Sequence, residues 1–271
     1  MTDEQWLELF RQIGATMRAG LPAILDKEGG TIPLGKGAGG DKTFPVDKWA
    51  EDIIVAAAER AHAAGEQFTL VSEELGIRKF GNGEKVLLVD PVDGSNNAKS
   101  GIPFFGVSLA LLKGETLSSL SVGYVANLAA GHEFWAIRGQ GAWKNGAPIR
   151  TSPAEGIIIV AYEASSPASD LPRILPLLTT ARRTRCFGST ALDLSYLASG
   201  ALSVFVTATP SRAFDYAAGM LILCEAGGVI TGLDGTSLDS IRGGLERTVP
   251  LLAAKNGAAH RLALSLVSQP G

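Results

Sequence analysis

The stretch Lys85–Ser95, which reads KVLLVDPVDGS, joins a continuous apolar run to an acidic turn. An uninterrupted apolar run of this kind is typical of a strand buried on both faces. Pro91 has no N–H to donate to a neighbouring strand, so the strand is predicted to end at Asp90. Gly94 permits the tight turn that follows. Asp90 and Asp93 are therefore predicted to lie together at the carboxyl end of a buried strand, where α/β folds place their ligands.

This acidic turn is a candidate metal site. Two carboxylates on one turn repel each other, and one pKa rises unless a cation neutralises them. Carboxylate oxygens suit hard divalent cations such as Mg²⁺, Mn²⁺ or Ca²⁺. On spacing alone, an ordinary acidic surface turn explains Asp90 and Asp93 equally well.

Further acids follow other predicted elements. Glu73 and Glu74 come directly after a predicted strand, and Asp215 lies in the first turn of a predicted helix. Each alone also fits a simpler interpretation, a solvated strand end or an ordinary acidic residue at a helix start. Three acidic sites at the ends of separate elements of one sheet system together favour the metal site.

The first half of the chain, residues 1–150, is predicted to be α+β and carries the metal-site motifs. An amphipathic helix is predicted over 3–25, and a loop rich in Gly and Pro over 28–45. A second helix is predicted to start with Asp47 as its N-cap and to run to about Ala64. Most of the remainder of this half, from residue 67, is predicted to be sheet.

The second half, residues 151–271, alternates predicted strands and helices, which is typical of α/β layering. No linker-like segment separates it from the first half. The pattern therefore predicts a layered αβα sandwich that forms one continuous unit, with a seam near 145–155 where the two halves meet.

The composition excludes several classes of protein. Among 271 residues, 24 basic and 27 acidic side chains leave a net charge of −3, which gives no signal for a nucleic-acid polymer. The apolar runs are far shorter than the ~20 residues of a membrane span, and the acidic N-terminus is unlike a signal peptide. Cys186 and Cys224 form neither a disulfide framework nor a zinc-ligand set, so we expect a cytoplasmic protein.

The acidic segments, together with one Gly- and Pro-containing segment, occur in a combination typical of a known family. The segments are Ser72-Glu73-Glu74-Leu75-Gly76, Asp90-Pro91-Val92-Asp93-Gly94-Ser95, Gly101-Ile102-Pro103, Asp215-Tyr216-Ala217-Ala218-Gly219 and Glu225-Ala226-Gly227-Gly228. Together they resemble the signatures of the inositol monophosphatase superfamily, whose members are Mg²⁺-dependent, Li⁺-sensitive phosphomonoesterases. The first and third segments resemble most the archaeal-type branch, whose members commonly hydrolyse inositol monophosphate and fructose 1,6-bisphosphate. The resemblance implies a layered αβαβα sandwich of the sugar-phosphatase type, which is one catalytic unit with its active site at the seam between the two halves, and a homodimer.

The resemblance implies a role for each matching residue. Glu73, Asp90 and the Val92 carbonyl would hold one Mg²⁺, and Asp90, Asp93 and Asp215 a second, with a third possible and Mn²⁺ as a substitute. Two such ions would lower the pKa of a water molecule and stabilise the leaving oxygen. The remaining implied catalytic residues are Asp47 and Ser95, which would orient the attacking water, and Glu74, which would support Glu73 or that water.

The implied substrate is a small phosphorylated sugar or polyol. Gly94 and Ser95 would direct N–H groups at its phosphate, and Gly188, Ser189 and Thr190 would meet its other end. Arg185 and Arg212 are candidates for a second phosphate, because arginine binds phosphate in a bidentate manner.

The sequence departs from the family pattern at two places. The acid expected near Gly39 is absent, and Asp41 lies two positions later, which places a third metal in question. Ser203 and Thr207 lie where relatives often carry acids that contact sugar hydroxyls.

Rival interpretations differ in how well they fit. Residues 35–40 match G-x-G-x-x-G, but a dinucleotide-binding motif requires a strand before this pattern and a helix directly after it. Here Pro33 precedes the pattern, and Pro45 interrupts the chain before the predicted helix. Two alternatives stay open: a 3′(2′),5′-bisphosphate nucleotidase with the same metal site, and a non-catalytic regulatory member of the family.

Overall fold

A computed structural model of the protein describes residues 1–25, 32–40 and 42–267. The helices of this part of the chain are α1 (Asp3–Leu25), α2 (Pro45–Ala63), α3 (Ser95–Lys99), α4 (Pro167–Thr180), α5 (Thr190–Ala198), α6 (Ala213–Glu225) and α7 (Gly257–Val267). Its strands are β1 (Gly35–Lys36), β2 (Lys42–Thr43), β3 (Phe68–Ser72), β4 (Gly76–Phe80), β5 (Lys85–Asp93), β6 (Gly106–Leu112), β7 (Leu120–Asn127), β8 (His132–Ile137), β9 (Ala142–Lys144), β10 (Ala147–Ile149), β11 (Ile159–Glu163), β12 (Arg183–Arg185), β13 (Val204–Thr207), β14 (Val229–Gly232) and β15 (Leu251–Ala254).

The larger sheet is built from the first half of the chain. Its strand order is β10-β9-β8-β7-β6-β5-β3-β4, and β3 and β5 are its parallel pair. The amphipathic helices α1 and α2 cover one face, where Trp6 and Phe10 are fully buried against residues of the sheet. Burying the apolar stripe of each helix in this way supplies most of its stability.

The smaller sheet is built from the second half. Its order is β12-β11-β13-β15-β14, with β11 parallel to both β12 and β13. Helices α4 and α7 pack on its outer face, and α5 and α6 fill the space between the two sheets. The layers therefore run αβαβα, which confirms the sandwich that the family resemblance implies, whereas the αβα layering predicted from the pattern has two layers too few. Among the described residues, no helix combines the length and the apolar character needed to span a bilayer.

The buried character of α5 and α6 explains how the two halves are joined. Tyr216, Ala217 and Ala218 on α6 are inaccessible to solvent. The Gly123 position on β7 lies so close to α6 that a Cβ there would be 2.8 Å from the Ala218 carbonyl oxygen. An element of the second half thus lies in direct contact with the sheet of the first. The division at residue 150 stays a prediction.

Three local predictions are wrong. Asp47 is the third residue of α2 rather than its N-cap, because Pro45 begins the helix and Phe44 takes the cap position. Pro91 does not end β5, which continues to Asp93 through a register shift against β6. The predicted loop over 28–45 contains the short hairpin β1–β2, while residues 28–31 and 41 of this loop lie outside the described part of the chain.

Candidate active site

A cavity of about 680 Å³ lies where the ends of both sheets meet the starts of the inner helices. The carboxyl ends of β5, β11 and β13 and the first residues of α3, α5 and α6 contribute to its wall. Of the predicted site residues, those on the wall are Glu73, Asp90, Val92, Asp93, Gly94, Ser95, Gly188, Thr190, Arg212 and Asp215. The fold therefore brings together residues that are more than 140 positions apart in the sequence.

The register shift in β5 turns Asp90 and Asp93 toward this cavity. Both carboxyl groups are nearly inaccessible to solvent. The Val92 N–H donates to Asp90 Oδ1 at 3.1 Å. Asp93 Oδ2 accepts hydrogen bonds from Ser189 Oγ at 2.7 Å and from the Ala191 N–H at 2.6 Å. Ser189, predicted to bind substrate, thus contacts Asp93 and also caps α5.

Crowding of negative charge dominates the electrostatics of the site. Burial raises the pKa of Asp90 well above its usual range, and the charges of Glu73, Asp93 and Asp215 raise it further. Burial raises the pKa of Asp93 to about 7, a rise that the Ser189 hydrogen bond opposes and the Asp215 charge reinforces. Carboxylates held this close are unfavourable as anions unless a cation compensates them.

The donor set fits a hard divalent cation, because it consists of carboxylate oxygens and the adjacent Val92 carbonyl. Among the described residues, no three acidic, histidine or cysteine side chains converge closely enough to chelate one ion. Protein groups hold these acids instead. Arg212 N donates to Asp215 Oδ2 at 2.8 Å, and the Arg212 guanidinium lies 3.8 Å from Glu73 Oε1.

Arg212 also joins the β1–β2 hairpin to this cluster of acids. Its guanidinium donates to the Gly39 carbonyl oxygen, and the Gly39 N–H donates to the Glu73 carbonyl oxygen at 2.7 Å. A Cβ at position 39 would lie 3.1 Å from Glu73 Cγ. The hairpin therefore leaves little room for a side chain at this position, and Asp41 lies outside the described residues.

Asp47 and Glu74 lie behind the cavity wall rather than on it. Asp47 Oδ2 accepts the Phe44 N–H at 2.8 Å, and burial together with the Glu74 charge raises the pKa of Asp47 to about 7. The Glu74 carboxylate accepts a hydrogen bond from the Thr43 hydroxyl. No hydrogen bond joins Asp47 to Ser95, both of which lie in the described part of the chain.

Gly94 shapes the turn between the acids and α3. Its φ of 92° is left-handed, and a Cβ there would lie 3.0 Å from the Gly188 carbonyl oxygen and 3.1 Å from that of Phe104. Asn97 fixes the same corner, because its Nδ2 donates to the carbonyl oxygens of Phe104 at 2.7 Å and Phe187 at 2.6 Å.

Several residues on the wall were not predicted from the sequence. The polar or charged ones with the longest side chains or a direct bearing on the substrate are Lys42, Asn97, Lys99, Glu163, Thr209 and Arg247. Glu163 ends a parallel strand, which is the signal that would have identified it. Lys42 and Arg247 carry no comparable local signal.

Two positions from the sequence analysis, Arg185 and Ser203, do not line the cavity. Arg185 is exposed on the edge strand β12 and is not among the residues that line the cavity. Ser203 accepts the Ile158 and Ile159 N–H groups at 3.1 and 3.4 Å and does not face the cavity, whereas Thr207 does.

Comparisons with known proteins agree with this arrangement. The family model described as "Inositol monophosphatase family" matches residues 5–269. A protein of Methanothermobacter thermautotrophicus named fructose-1,6-bisphosphatase/inositol-1-monophosphatase is 35% identical, over 90% of this chain and 89% of the relative. A protein of the same name from Archaeoglobus fulgidus is 32% identical, over 98% of this chain and all of the relative.

Solved structures agree as well. A Pyrococcus horikoshii protein described as having similarities to inositol-1 monophosphatase superposes with a TM-score of 0.82 at 26% identity, over 99% of this chain and all of that one. The chain therefore belongs to the inositol monophosphatase family.

Proposed function

We propose that the protein is a Mg²⁺-dependent phosphomonoesterase that hydrolyses inositol monophosphate, fructose 1,6-bisphosphate or both. The observation that carries this proposal is a group of four acids on the wall of one cavity, the buried Asp90 and Asp93 and the half-buried Glu73 and Asp215. Family membership and the names of the archaeal relatives support the phosphatase class and these two substrates.

The metal ligands in this proposal are Glu73, Asp90, the Val92 carbonyl, Asp93 and Asp215. When bound, divalent cations supply Lewis acidity that activates water and stabilises the leaving oxygen. Two ions per site are proposed, and Mn²⁺ is the expected substitute for Mg²⁺. Because position 39 is a glycine and carries no acid, a Mg²⁺ titration has to decide whether a third ion binds. Arg212 would have to release Glu73 as the ions bind, since the guanidinium and the metal use the same carboxylate.

Asp47 is proposed to accept the proton of the attacking water. A pKa of about 7 suits a group that takes up a proton near neutral pH. Ser95, at the start of α3 on the cavity wall, is proposed as the hydroxyl through which Asp47 acts. Glu74 supports this arrangement by fixing Thr43 beside Phe44, whose N–H holds Asp47.

The substrate phosphate is proposed to lie against Gly94 and Ser95, with the rest of the molecule toward Gly188 and Thr190. A second phosphate, as in fructose 1,6-bisphosphate, would meet basic side chains on the wall. Lys42 and Arg247 fit this role better than Arg185, because they line the cavity and Arg185 does not.

We also propose a homodimer, which the family resemblance implies. Light scattering should give a mass near two chains, and a mass near 28.2 kDa would refute it. A cytoplasmic location rests on cysteine usage, because the free thiols Cys186 and Cys224 suit a reducing compartment.

The test is release of inorganic phosphate with and without Mg²⁺. Inositol 1-phosphate, fructose 1,6-bisphosphate and adenosine 3′,5′-bisphosphate are compared at equal concentration. Mg²⁺-dependent release from either of the first two supports the proposal. Release from the nucleotide alone would keep the metal chemistry but refute the substrate, and no release from any of the three would favour a binding role.

A further inference from the structure

Glu163 lies in the cavity but has no part in the metal chemistry described above. It is the last residue of β11, and its register partner on β13 is Thr207, another residue of the cavity wall. Glu163 Oε1 accepts the Gly188 N–H at 2.7 Å. This contact places an acid beside Gly188 and Thr190, the part of the wall assigned to the non-phosphate end of the substrate.

Asp193 is a second buried acid that interacts with Glu163. It is in the first turn of α5 and is fully inaccessible to solvent. Neither of its carboxyl oxygens accepts a hydrogen bond from a nitrogen or hydroxyl donor of the described residues. Its carboxyl interacts instead with that of Glu163. Two carboxyl groups can satisfy each other only when one holds a proton and donates it to the other.

The pairing fixes the orientation of Glu163. Burial raises the pKa of both acids, but hydrogen bonds oppose the rise at Glu163, whereas the charge of Glu163 adds to the rise at Asp193. Asp193 is therefore the member that we assign the proton. Glu163 accepts the Gly188 N–H, interacts with the Asp193 carboxyl and lines the cavity. A carboxyl group held from two sides is a preorganised acceptor for hydroxyl groups.

We propose that Glu163 is a specificity-determining residue that accepts hydrogen bonds from the hydroxyl groups of a polyol or sugar phosphate, and that Asp193 is its positioning residue. The inference rests on the proposed phosphatase function and adds the chemistry that selects the substrate. Thr207 and Thr209, on the same wall, supply the neutral hydroxyls that such a polyol would also meet. A second phosphate placed here would be repelled, so it must lie on the side of Lys42 and Arg247.

The test compares two substrates that share the phosphate but differ in hydroxyl groups. Inositol 1-phosphate is compared with p-nitrophenyl phosphate, which has no alcohol hydroxyl group. If the protein hydrolyses only fructose 1,6-bisphosphate, that substrate takes the place of inositol 1-phosphate. The readout is the ratio of their kcat/KM values at saturating Mg²⁺. Glu163→Gln should lower this ratio by about tenfold or more, because hydrogen bonds to a charged acceptor are replaced by weaker ones. The control Glu155→Gln, an exposed acid remote from the wall, should leave the ratio unchanged.

Asp193 is tested by rescue. Asp193→Asn keeps a donor toward Glu163 and should keep most of the ratio, whereas Asp193→Leu removes the donor and should lower it as Glu163→Gln does. If Asp193→Leu does not fold, the substrate ratios of Glu163→Gln and Asp193→Asn still test whether Glu163 selects the substrate and whether a neutral donor at position 193 is enough.

An unchanged ratio in Glu163→Gln would overturn the inference. An equal loss for both substrates would also overturn it, since that result means Glu163 only supports the Gly188 turn. Failure of the unmodified chain to release phosphate from any substrate with Mg²⁺ would instead refute the proposed function, and the inference with it.

Discussion

Replacing Asp93 by Asn should stabilise the metal-free protein while abolishing its Mg²⁺ response and its turnover. Both donors to Asp93 bind the same oxygen, Oδ2, so the carbonyl oxygen of the introduced amide can accept from Ser189 Oγ and the Ala191 N–H without rearrangement. The amide NH₂ then takes the place of the other oxygen, among neighbouring acids that repel Asp93. The substitution therefore removes a buried charge and leaves the shape of the site unchanged.

The size of this effect follows from the pKa of Asp93. In the folded chain the pKa is about 7, against an ordinary value of 3.8. Between these pH values the folded chain holds a proton that the unfolded chain has released, so the stability of the metal-free protein falls as pH rises across this window. The total is about 4 kcal/mol, from which the weaker hydrogen bonds of a neutral amide subtract about 2 kcal/mol. We expect a net gain of about 2 kcal/mol at pH 7.5, or roughly 4–8 °C in Tm.

The assay is thermal unfolding of both proteins after treatment with a chelator, at pH 5.0 and 7.5, with and without Mg²⁺. The unmodified protein should gain stability when Mg²⁺ is added at pH 7.5, by about 2.7 kcal/mol at a concentration one hundred times Kd. Asp93→Asn should show little Mg²⁺ response, and phosphate release should fall by at least ~100-fold. Asp239→Asn, at an exposed acid outside the cavity, is the matched control.

Two results would refute this reasoning. A lower Tm for metal-free Asp93→Asn at pH 7.5 would mean that the carboxylate stabilises the fold, contrary to the charge crowding inferred here. A full Mg²⁺ response in the variant would mean that Asp93 is not a metal ligand.

Three further substitutions test separate parts of the structure. Asp47→Asn should lower phosphate release by ~100-fold or more while the rise in Tm on adding Mg²⁺ persists, because Asp47 lies behind the wall; loss of the Mg²⁺ response would place it among the ligands instead. Gly94→Ala should destabilise the fold by about 2–3 kcal/mol in chemical unfolding, because a left-handed φ and the Gly188 carbonyl both disfavour a Cβ; Gly139→Ala, left-handed but with open space around it, should cost only about 1 kcal/mol. Glu225→Gln weakens the charge-assisted bonds that Glu225 accepts from the N–H groups of residues 139 and 141, at 2.8 and 2.9 Å, and should lower stability by about 1–2 kcal/mol with phosphate release per folded molecule unchanged.

The elements predicted correctly are those with a strong local pattern. The amphipathic stripe over 3–25 and the apolar run of β5 each contain enough information to specify their structure. β4, β9 and β10 lie in the region predicted to be mostly sheet, but their bounds could not be predicted, because short strands such as these depend on pairing with neighbours rather than on their own sequence. Asp47 was misplaced for a different reason: Pro45 fixes a helical φ two residues earlier, and this outweighs the capping preference of an Asp.

The candidate site could likewise be predicted only in part, because it depends on contacts between distant parts of the chain. The carboxyl ends of strands converge in a layered fold, so Asp90, Asp93 and Glu73 could be predicted to meet. The groups that form hydrogen bonds and ion pairs with these acids could not be predicted from the sequence. Ser189 is 96 positions from Asp93, and Arg212 is 173 positions from Gly39, so no spacing in the sequence relates them. These contacts depend on how the two sheets are placed around α5 and α6.

That placement also separates two properties of the site. The acids of β5 and the turn after β3 belong to the larger sheet, whereas Glu163 and Thr207 are paired residues of the smaller one. Asn97 joins the two parts, because one amide donates to Phe104 in the first half and to Phe187 in the second. On the proposed roles, substitutions at Glu163 and Thr207 should change which phosphate ester fits while leaving the proposed ligands on β5 and in the turn after β3 in place. In the same proposal, the residues that distinguish substrates by their hydroxyl groups therefore lie at the end of the smaller sheet, whereas a second phosphate would meet Lys42 and Arg247.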